Sequence, residues 1–309
     1  MMDSLSYDVL VIGAGPAGST AARTAAQEGA RTLLVERKAQ VGVPEQCAGY
    51  VAQAIRWHVA LPAECVAQSV SNLRTYLPDG TVHDAEMPGY LLDRAALDRH
   101  LALRAVQAGA RLLIHTAAQR LENGEVVLQK EGQEIFVNAR IIVGADGPQS
   151  TTARWLGLAP GPLARAVQYE VALPRRIEAA EVFFRPVFRG GYAWLFPAGE
   201  TARVGAAFDA DHNDEGVEGL RRLLADFQEE GRVLDSTLSY TAGFVPVGGP
   251  GPVRRDNVLL VGDAAGHTHS ITGAGILNGI IAGEMAGRAA ARAALSDNLA
   301  ALDEYEEEF

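Results

Sequence analysis

The sequence predicts an α/β (α+β) fold in which a Rossmann-type domain is interleaved with a second domain built on an antiparallel sheet. Two observations predict it. Apolar runs of strand length precede glycine-rich turns near the beginning, the middle and the end of the chain. The stretches between these runs instead carry hairpin turn signals and shorter, alternating apolar segments. We therefore expect residues 1–69, 90–162 and 243–309 to form the first domain, and residues 70–89 and 163–242 the second.

The composition is that of a globular protein with excess negative charge. The chain has 309 residues, a net charge of -11 and two cysteines, Cys47 and Cys65. This charge argues against a nucleic-acid partner and gives no broad attraction to anionic lipid. Two cysteines cannot form a disulfide framework, and every long apolar run is interrupted by charges. We therefore expect a cytoplasmic protein.

The first elements form a βαβ unit. Residues 7–12 are an apolar strand, residues 16–29 an alanine-rich helix ending at glycine, and residues 31–36 a second buried strand. A hairpin is predicted within residues 70–92, with its turn at residues 78–80. An amphipathic helix follows and ends near Gly109.

The later elements repeat the two patterns. We predict a strand at 111–115, a meander with turns at 123–124 and 131–132, and a buried strand before residue 144. Residues 165–209 are rich in strands, and residues 214–231 form a charged amphipathic helix. A final buried strand enters the glycine-rich turn at 262, and a long helix of small residues follows. The acidic end of the chain is expected to be frayed.

The motif "GAGPAG" has the spacing of a dinucleotide fingerprint between a strand and a helix. Gly13 allows the tight turn, Gly15 lets a pyrophosphate approach the backbone, and Gly18 lets the helix pack on the strand. The helix N-terminus then faces the anion. Glu36 ends the second strand, where a carboxylate can accept hydrogen bonds from a ribose diol.

Two further segments, "GADGPQSTTAR" at 144–154 and "GDAAGHTHSITGAGI" at 262–276, follow apolar strands. With the first motif, they resemble the FAD-dependent family built like para-hydroxybenzoate hydroxylase. The resemblance implies bound FAD. It also implies that Asp263 holds the ribityl chain, that the last helix points at the flavin pyrimidine, and that Arg94 lies near the phosphates. The complete set of implied cofactor residues is Gly13, Gly15, Ala17, Gly18, Glu36, Arg37, Arg94, Asp146, Gly262, Asp263, Gly273, Gly275 and Ile276.

Two other segments, "VGVPEQCAGYV" at 41–51 and "GGYAWLFPAGETARVGAAF" at 190–208, are similar to geranylgeranyl reductases. This resemblance implies a reductase that transfers hydride from reduced flavin to carbon–carbon double bonds of an apolar, polyprenyl substrate. It makes Cys47 and Tyr192 candidate catalytic residues, with the thiol near the flavin ring. It also makes Tyr192, Trp194 and Phe196 candidate substrate-binding residues. The alternatives are that Cys47 is a small buried hydrophobic residue and that the aromatic residues are core.

Other functions remain open at this stage. A monooxygenase of the same fold would consume oxygen, and an electron-relay flavoprotein would have no substrate of its own. The electron donor is undetermined among NADPH, NADH and ferredoxin. We expect an apolar small-molecule or lipid substrate, with transient contact at the membrane surface. His267 and His269 lack a metal-ligand pattern around them, so we expect them to make polar contacts and expect no metal site.

Overall fold

The computed structural model describes residues 5–158 and 161–308; residues 1–4, 159–160 and 309 of the predicted first domain lie outside this range. The strands are β1 (Leu5–Ile12), β2 (Thr32–Val35), β3 (Tyr50–Ala52), β4 (Val66–Tyr76), β5 (Val82–Leu92), β6 (Arg111–Leu113), β7 (Thr116–Glu122), β8 (Glu125–Lys130), β9 (Gln133–Gly144), β10 (Leu163–Ala172), β11 (Ala180–Phe183), β12 (Ala193–Ala198), β13 (Thr201–Asp209), β14 (Thr237–Pro246), β15 (Arg254–Arg255) and β16 (Val258–Leu260). The α-helices are α1 (Pro16–Gln27), α2 (Arg94–Gln107), α3 (Thr151–Trp155), α4 (Asn213–Glu229), α5 (Ile276–Ser296) and α6 (Asp303–Glu307).

The chain divides into two compact units, each made from separate segments. The first unit contains Met1–Pro44, Ala95–Pro162 and Pro246–Phe309, and the second contains Glu45–Arg94 and Leu163–Val245. Residues 45–69, 90–94 and 243–245 therefore lie in the second unit, whereas we predicted them in the first domain. The reason is strand pairing: β3 pairs antiparallel with β5, and β4 begins at Val66, earlier than the predicted hairpin.

The first unit has a mainly parallel sheet in the order β15-β16-β9-β1-β2-β6, with β7 and β8 added through β9. The central strands end level with one another, because Ile12 pairs with both Val35 and Gly144, and Gly144 pairs with Leu260. Their apolar residues are buried, as expected for a parallel sheet covered on both faces. The turns that follow β1, β2, β9 and β16 thus leave the sheet at one edge.

Helices α1 and α5 pack closely in the first unit because small residues line their contact. A methyl group added at Gly283 would overlap the carbonyl oxygen of Ala17, and one added at Gly287 would overlap that of Ala21. An ion pair between Arg23 and Glu284, at 2.8 Å, lies beside this contact. The small-residue composition of the last helix therefore reflects helix packing, and it sets the position of both helix N-termini.

The second unit has a sheet in the order β14-β10-β13-β12-β11-β4-β5-β3. The pairs β10–β13, β13–β12, β12–β11, β4–β5 and β5–β3 are antiparallel, whereas β11 and β4 run parallel. Helix α4 covers one face, where Leu220, Leu223 and Phe227 meet Phe183 and Phe208. The other face carries a separate apolar cluster that includes Trp194 and Phe196. The predicted fold class is confirmed.

The acidic C-terminal segment is packed, which corrects the expectation of a frayed end. Tyr305 is 1% exposed, and its hydroxyl donates to the Leu260 carbonyl oxygen at 2.7 Å. Arg254 also pairs with Asp303 and Glu306. Within residues 5–158 and 161–308, the helices are too short or too polar to span a lipid bilayer.

Candidate active site

The glycine motif after β1 is shaped by the neighbouring strand turn. Gly13 has a φ of +104°, and a methyl group there would overlap the carbonyl oxygen of Ala145. A methyl group at Gly18 would overlap the carbonyl oxygen of Gly13. The protein's own packing therefore requires glycine at both positions.

The space in front of α1 has the properties of a phosphate cradle. No described atom lies within 4 Å of the position that a Gly15 methyl group would occupy. Gly15 is the N-cap of α1 and Pro16 its first residue, and no described side chain caps this end. The first amide groups of the helix are thus available to an anion, and the helix dipole favours negative charge there. A pyrophosphate fits this arrangement.

Glu36 lies one residue beyond β2, at the same edge of the sheet. The residue is 9% exposed, and its carboxylate accepts hydrogen bonds from the Ala14 and Lys38 amides, each at 2.9 Å. Each carboxylate oxygen has a further lone pair, so a ribose diol can still donate to it. The next residue, Arg37, is exposed. The position of Glu36 fits the predicted ribose contact.

Asp146 holds the turn after β9 together. Its carboxylate accepts from the Ser150 hydroxyl at 2.5 Å and from the Thr151 and Thr152 amides at 2.7 and 3.0 Å. The side chain therefore fixes the start of α3 within the "GADGPQST" segment. Its role as a cofactor ligand stays a prediction.

The turn after β16 brings a second helix N-terminus to the carboxyl edge. A methyl group at Gly262 would lie 2.9 Å from the Ala17 side chain, so this turn touches the start of α1. Asp263 Oδ1 accepts from the Thr268 hydroxyl at 2.8 Å, and a Gly275 methyl group would lie 3.2 Å from the same oxygen. Asp263 therefore lies beside the N-cap of α5.

Helix α5 begins at Ile276 with Gly275 as its N-cap, and no described side chain caps it. Gly273 lies in the turn just before. A helix of 21 residues thus presents free amide groups and the positive end of its dipole next to Asp263. Residues of this kind fit the ribityl chain and the electron-rich side of a flavin, so the first unit fits FAD.

His267 supports this second turn and was not predicted to have that role. It is 4% exposed, and its Nδ1 accepts from the Gly262 amide at 3.2 Å. Burial lowers the pKa of His267 to about 4, so the imidazole is neutral near neutral pH. A buried histidine four residues after an aspartate is a weak sequence signal, because burial depends on the packing around it.

Neither His267 nor His269 is part of a metal site in the described structure. Across residues 5–158 and 161–308, no group of three or more His, Cys, Asp and Glu side chains is arranged to hold a metal ion.

In the second unit, the Cys47 loop meets the aromatic strand β12. Cys47 Sγ accepts from the Gly49 amide at 3.4 Å, and the Cys47 carbonyl accepts from Gln168 Nε2 at 3.3 Å. Gln168 Oε1 in turn accepts from Trp194 Nε1 at 3.2 Å. Burial raises the pKa of Tyr192 to about 12, with the neighbouring Cys47 as a smaller cause. The structure thus brings both candidate catalytic residues together with Trp194.

The aromatic residues on β12 and its two neighbouring strands lie on opposite faces of the sheet. Tyr192, Trp194 and Phe196 lie on the face opposite α4, with ring centroids 6.2 and 6.1 Å apart in sequence order. Gly205 pairs with Trp194, and a methyl group at Gly205 would overlap the indole ring. Phe183 and Phe208 instead pack in the core under α4. The three predicted substrate-binding residues therefore form one apolar cluster, the aromatic surface, in which Trp194 and Phe196 are each 6% exposed. This burial also fits the alternative that the aromatic residues are core, and their contact with substrate stays a prediction.

Arg94 is the first residue of α2 and the last residue of the second unit. Its amide donates to Glu45 Oε1 at 3.2 Å, and its contact with FAD phosphates stays a prediction. Sequence reasoning missed Glu45, Gln168 and Arg203, which surround the Cys47 loop. The available signal was a charged residue inside the apolar strand "TARVGAAF".

The chain is similar in sequence to known flavin-dependent oxidoreductases and reductases. The FAD dependent oxidoreductase family model matches residues 8–148. A digeranylgeranylglycerophospholipid reductase 2 of Methanopyrus kandleri is 37% identical over 88% of this chain and 74% of its own length. A digeranylgeranylglycerophospholipid reductase of Methanocaldococcus jannaschii is 33% identical over 87% of this chain and 73% of its own length.

A solved structure shows the same fold. A geranylgeranyl bacteriochlorophyll reductase-like protein from Thermoplasma acidophilum superposes with a TM-score of 0.89 and 28% identity, over 99% of this chain and 83% of that one. The resemblance to geranylgeranyl reductases is therefore confirmed. The chain is an FAD-dependent oxidoreductase and belongs to the digeranylgeranylglycerophospholipid reductase family.

Proposed function

We propose that this enzyme reduces carbon–carbon double bonds of polyisoprenoid lipids. The observation that carries the proposal is the shared face of Tyr192, Trp194 and Phe196, which lies against the Cys47 loop. The relatives named above support it, because their names describe reductases of geranylgeranyl lipids.

The chemistry of such a substrate explains an aromatic surface. An isoprenoid chain offers no hydrogen-bonding groups, so apolar contact and exclusion of water must hold it. Rigid aromatic rings provide large apolar area with little loss of side-chain entropy. The Gln168 hydrogen bond satisfies the indole N–H of Trp194, so this ring adds no unpaired polar group to the apolar cluster.

The first unit holds the cofactor. When bound and reduced by the electron donor, FAD would supply the hydride for the double bond and would itself become oxidised. The amide groups at the start of α1 bind the pyrophosphate, Glu36 accepts from the ribose, and Asp263 accepts from the ribityl hydroxyls. The N-terminus of α5 favours negative charge on the reduced ring. The donor that reduces the flavin is NADPH, NADH or ferredoxin, to be determined by comparing the three.

A second carbon of the alkene needs a proton. Tyr192 is a candidate donor, because its raised pKa of about 12 keeps the phenol protonated at neutral pH. The Cys47 thiol is the other candidate, since it lies within electrostatic reach of Tyr192.

The substrate assignment is tested with purified, FAD-loaded enzyme and a geranylgeranyl phospholipid under anaerobic conditions. We expect mass spectrometry to show products that have gained hydrogen, with NADPH, NADH and reduced ferredoxin compared as donors. In a parallel assay under air, substrate-dependent oxygen consumption and a hydroxylated product would instead establish the monooxygenase alternative.

The role of Cys47 is tested by Cys47→Ser. If the thiol donates the proton, reoxidation of reduced flavin by substrate should slow by about 100-fold, the lower range for general acid catalysis. FAD content should not change. The matched control is Cys65→Ser, because Cys65 is fully buried in the second unit and should affect stability but not turnover. Unchanged turnover per flavin-loaded Cys47→Ser molecule would make Cys47 a packing residue.

A further inference from the structure

Arg203 is a buried charge on the sheet face that carries the aromatic surface. It lies on β13, pairs across from Phe196 on β12 and is 8% exposed. A guanidinium removed from water loses strong hydration, so its N–H groups must find acceptors within the protein. Those acceptors identify the segment that the charge stabilises.

Two of its three acceptors belong to the loop of residues 45–49. Arg203 Nη1 donates to the carbonyl oxygens of Ala48 at 3.1 Å and Leu92 at 2.9 Å. Arg203 Nη2 pairs with Glu45 Oε1 at 2.6 Å. A single side chain thus ties both ends of the loop that carries Cys47 to the sheet.

The backbone of the loop packs closely against the Arg203 guanidinium. Gly49 has a φ of +85°, and a methyl group there would overlap Arg203 Nη1. Glu45 is partly desolvated; burial raises its pKa, and the charge of Arg203 opposes that rise. The Arg94 amide also lowers this pKa through its hydrogen bond, and Arg203 is the larger of the two opposing causes. The loop conformation therefore depends on the pair.

A second attachment holds the middle of the loop. Gln168 binds the Cys47 carbonyl through Nε2 and accepts from Trp194 through Oε1. Arg203 therefore anchors the residues that flank Cys47, while Gln168 anchors Cys47 itself to the aromatic surface.

We propose that Arg203 is a positioning residue for the reductase reaction: paired with Glu45, it fixes the loop of residues 45–49 so that the Cys47 thiol is held beside Tyr192. The inference rests on the proposed function, since the thiol's position serves a reaction only if the loop meets the substrate. The position itself can be measured without turnover.

Native alkylation by iodoacetamide, followed by peptide mass spectrometry, reports the position of the loop. The chain has two cysteines, and Cys65 is 0% exposed while Cys47 is partly exposed. Because Cys65 is buried, its alkylation reports opening of the whole unit; burial also raises its pKa to about 11. Cys47 alkylation reports local opening of the loop.

The variants are made in the full-length, FAD-loaded protein. Arg203→Lys keeps the charge but loses the planar fork, and Glu45→Gln keeps an acceptor but loses the charge. Each should raise the alkylation rate of Cys47 by about tenfold, which corresponds to about 1.4 kcal/mol in local opening. Cys65 should stay protected. The double variant should show less than the sum of the two single effects, because both substitutions weaken the Arg203–Glu45 pair.

The matched control is Arg232→Lys, which disturbs the ion pair of Arg232 with the buried Glu181 in the same unit. It should leave Cys47 alkylation at the wild-type rate. Arg203→Lys should also slow flavin reoxidation by substrate without loss of FAD, whereas Arg232→Lys should not.

The proposal is overturned if iodoacetamide alkylates Cys47 no faster in Arg203→Lys and Glu45→Gln than in Arg232→Lys. It is also overturned if the alkylation rate of Cys65 rises together with that of Cys47, since the Arg203–Glu45 pair would then stabilise the whole unit. Should Arg203→Lys fail to fold, Glu45→Gln decides the same comparison alone. Absence of lipid reduction would contradict the proposed function and leave the alkylation result intact.

Discussion

Gly15 and Gly18 lie three residues apart in one motif, yet they have different physical roles. A methyl group at Gly18 would overlap the Gly13 carbonyl oxygen, whereas no described atom lies within 4 Å of one at Gly15. The folded protein needs glycine at 18 for its own packing. At 15, the need arises only when a ligand approaches the helix N-terminus.

We therefore predict that Gly15→Ala leaves the apoprotein's free energy of unfolding unchanged within about 0.5 kcal/mol. The added methyl group should weaken FAD binding by about 1–3 kcal/mol, because it fills space that the pyrophosphate requires. Denaturant unfolding and fluorescence titration with FAD measure the two effects. Gly18→Ala is the contrasting variant and should destabilise the apoprotein. An unchanged FAD affinity in Gly15→Ala would place the pyrophosphate elsewhere.

Glu36 serves both the fold and the cofactor. Its carboxylate accepts hydrogen bonds from the Ala14 and Lys38 amides, and its remaining lone pairs can accept from a ribose. Glu36→Ala should weaken FAD by about 1–3 kcal/mol through lost charge-assisted hydrogen bonds. Calorimetric titration of the apoprotein measures this loss, and Glu36→Gln should show a smaller one because it keeps an acceptor. If Glu36→Ala binds FAD as the wild type does, the ribose assignment is wrong.

The side chains of strand β12 alternate between two environments, one on each face of the sheet. Ala193 and Leu195 face the core under α4, while Trp194 and Phe196 belong to the opposite cluster. Gly205 on the neighbouring strand leaves the space that the indole of Trp194 occupies. The shape of the aromatic surface therefore depends on a residue with no side chain.

Gly205→Ala should lower the stability of the protein by about 1–3 kcal/mol, because the new methyl group overlaps the Trp194 ring. Substrate-dependent flavin reoxidation should slow while FAD content stays the same. Gly243→Ala is the matched control in the same unit, since no described atom lies within 4 Å of the methyl group it would add. Thermal unfolding and rapid-reaction kinetics provide the measurements. Equal behaviour of the two variants would show that Trp194 is not confined by Gly205.

At the scale of the whole molecule, both units are assembled from segments that are distant in the chain. The first unit closes when β16, α5 and the C-terminal segment join strands from the beginning and the middle of the chain. His267 lies at this closure, with its ring 6.4 Å from that of the buried Tyr305. Its protonation state is therefore linked to global stability.

We predict an acid-sensitive term in the free energy of unfolding that comes from His267. Its pKa is lowered from 6.5 to about 4 in the folded state, so the unfolded state binds the proton more readily between these values. Stability is therefore fully present above pH 6.5 and falls by about 3 kcal/mol as the pH approaches 4.

Denaturant unfolding across this pH range measures the term, and His267→Gln isolates it from the titration of carboxylates. The difference between wild type and His267→Gln should shrink as the pH falls from 6.5 to 4. A difference that does not vary with pH would show that His267 is not the group responsible.

The sequence by itself determined those features that depend on local spacing. Glycine positions around a strand end, the alternation of residues 192–196 and the order of the three motifs were sufficient to predict the fold class, FAD and the reductase family. These signals can be recognised in the sequence because a strand–turn–helix unit, and the alternation of side chains along a strand, depend only on short segments.

Only the tertiary structure decided which side chains meet across the sheet. Arg203 reaches Ala48 across 155 positions of sequence, and Gln168 reaches Cys47 across 121. The same holds for residues 45–69, which join the second unit because β3 and β4 pair with β5. Such contacts follow from the order and register of strands, which one-residue shifts would change completely, so no local pattern specifies them.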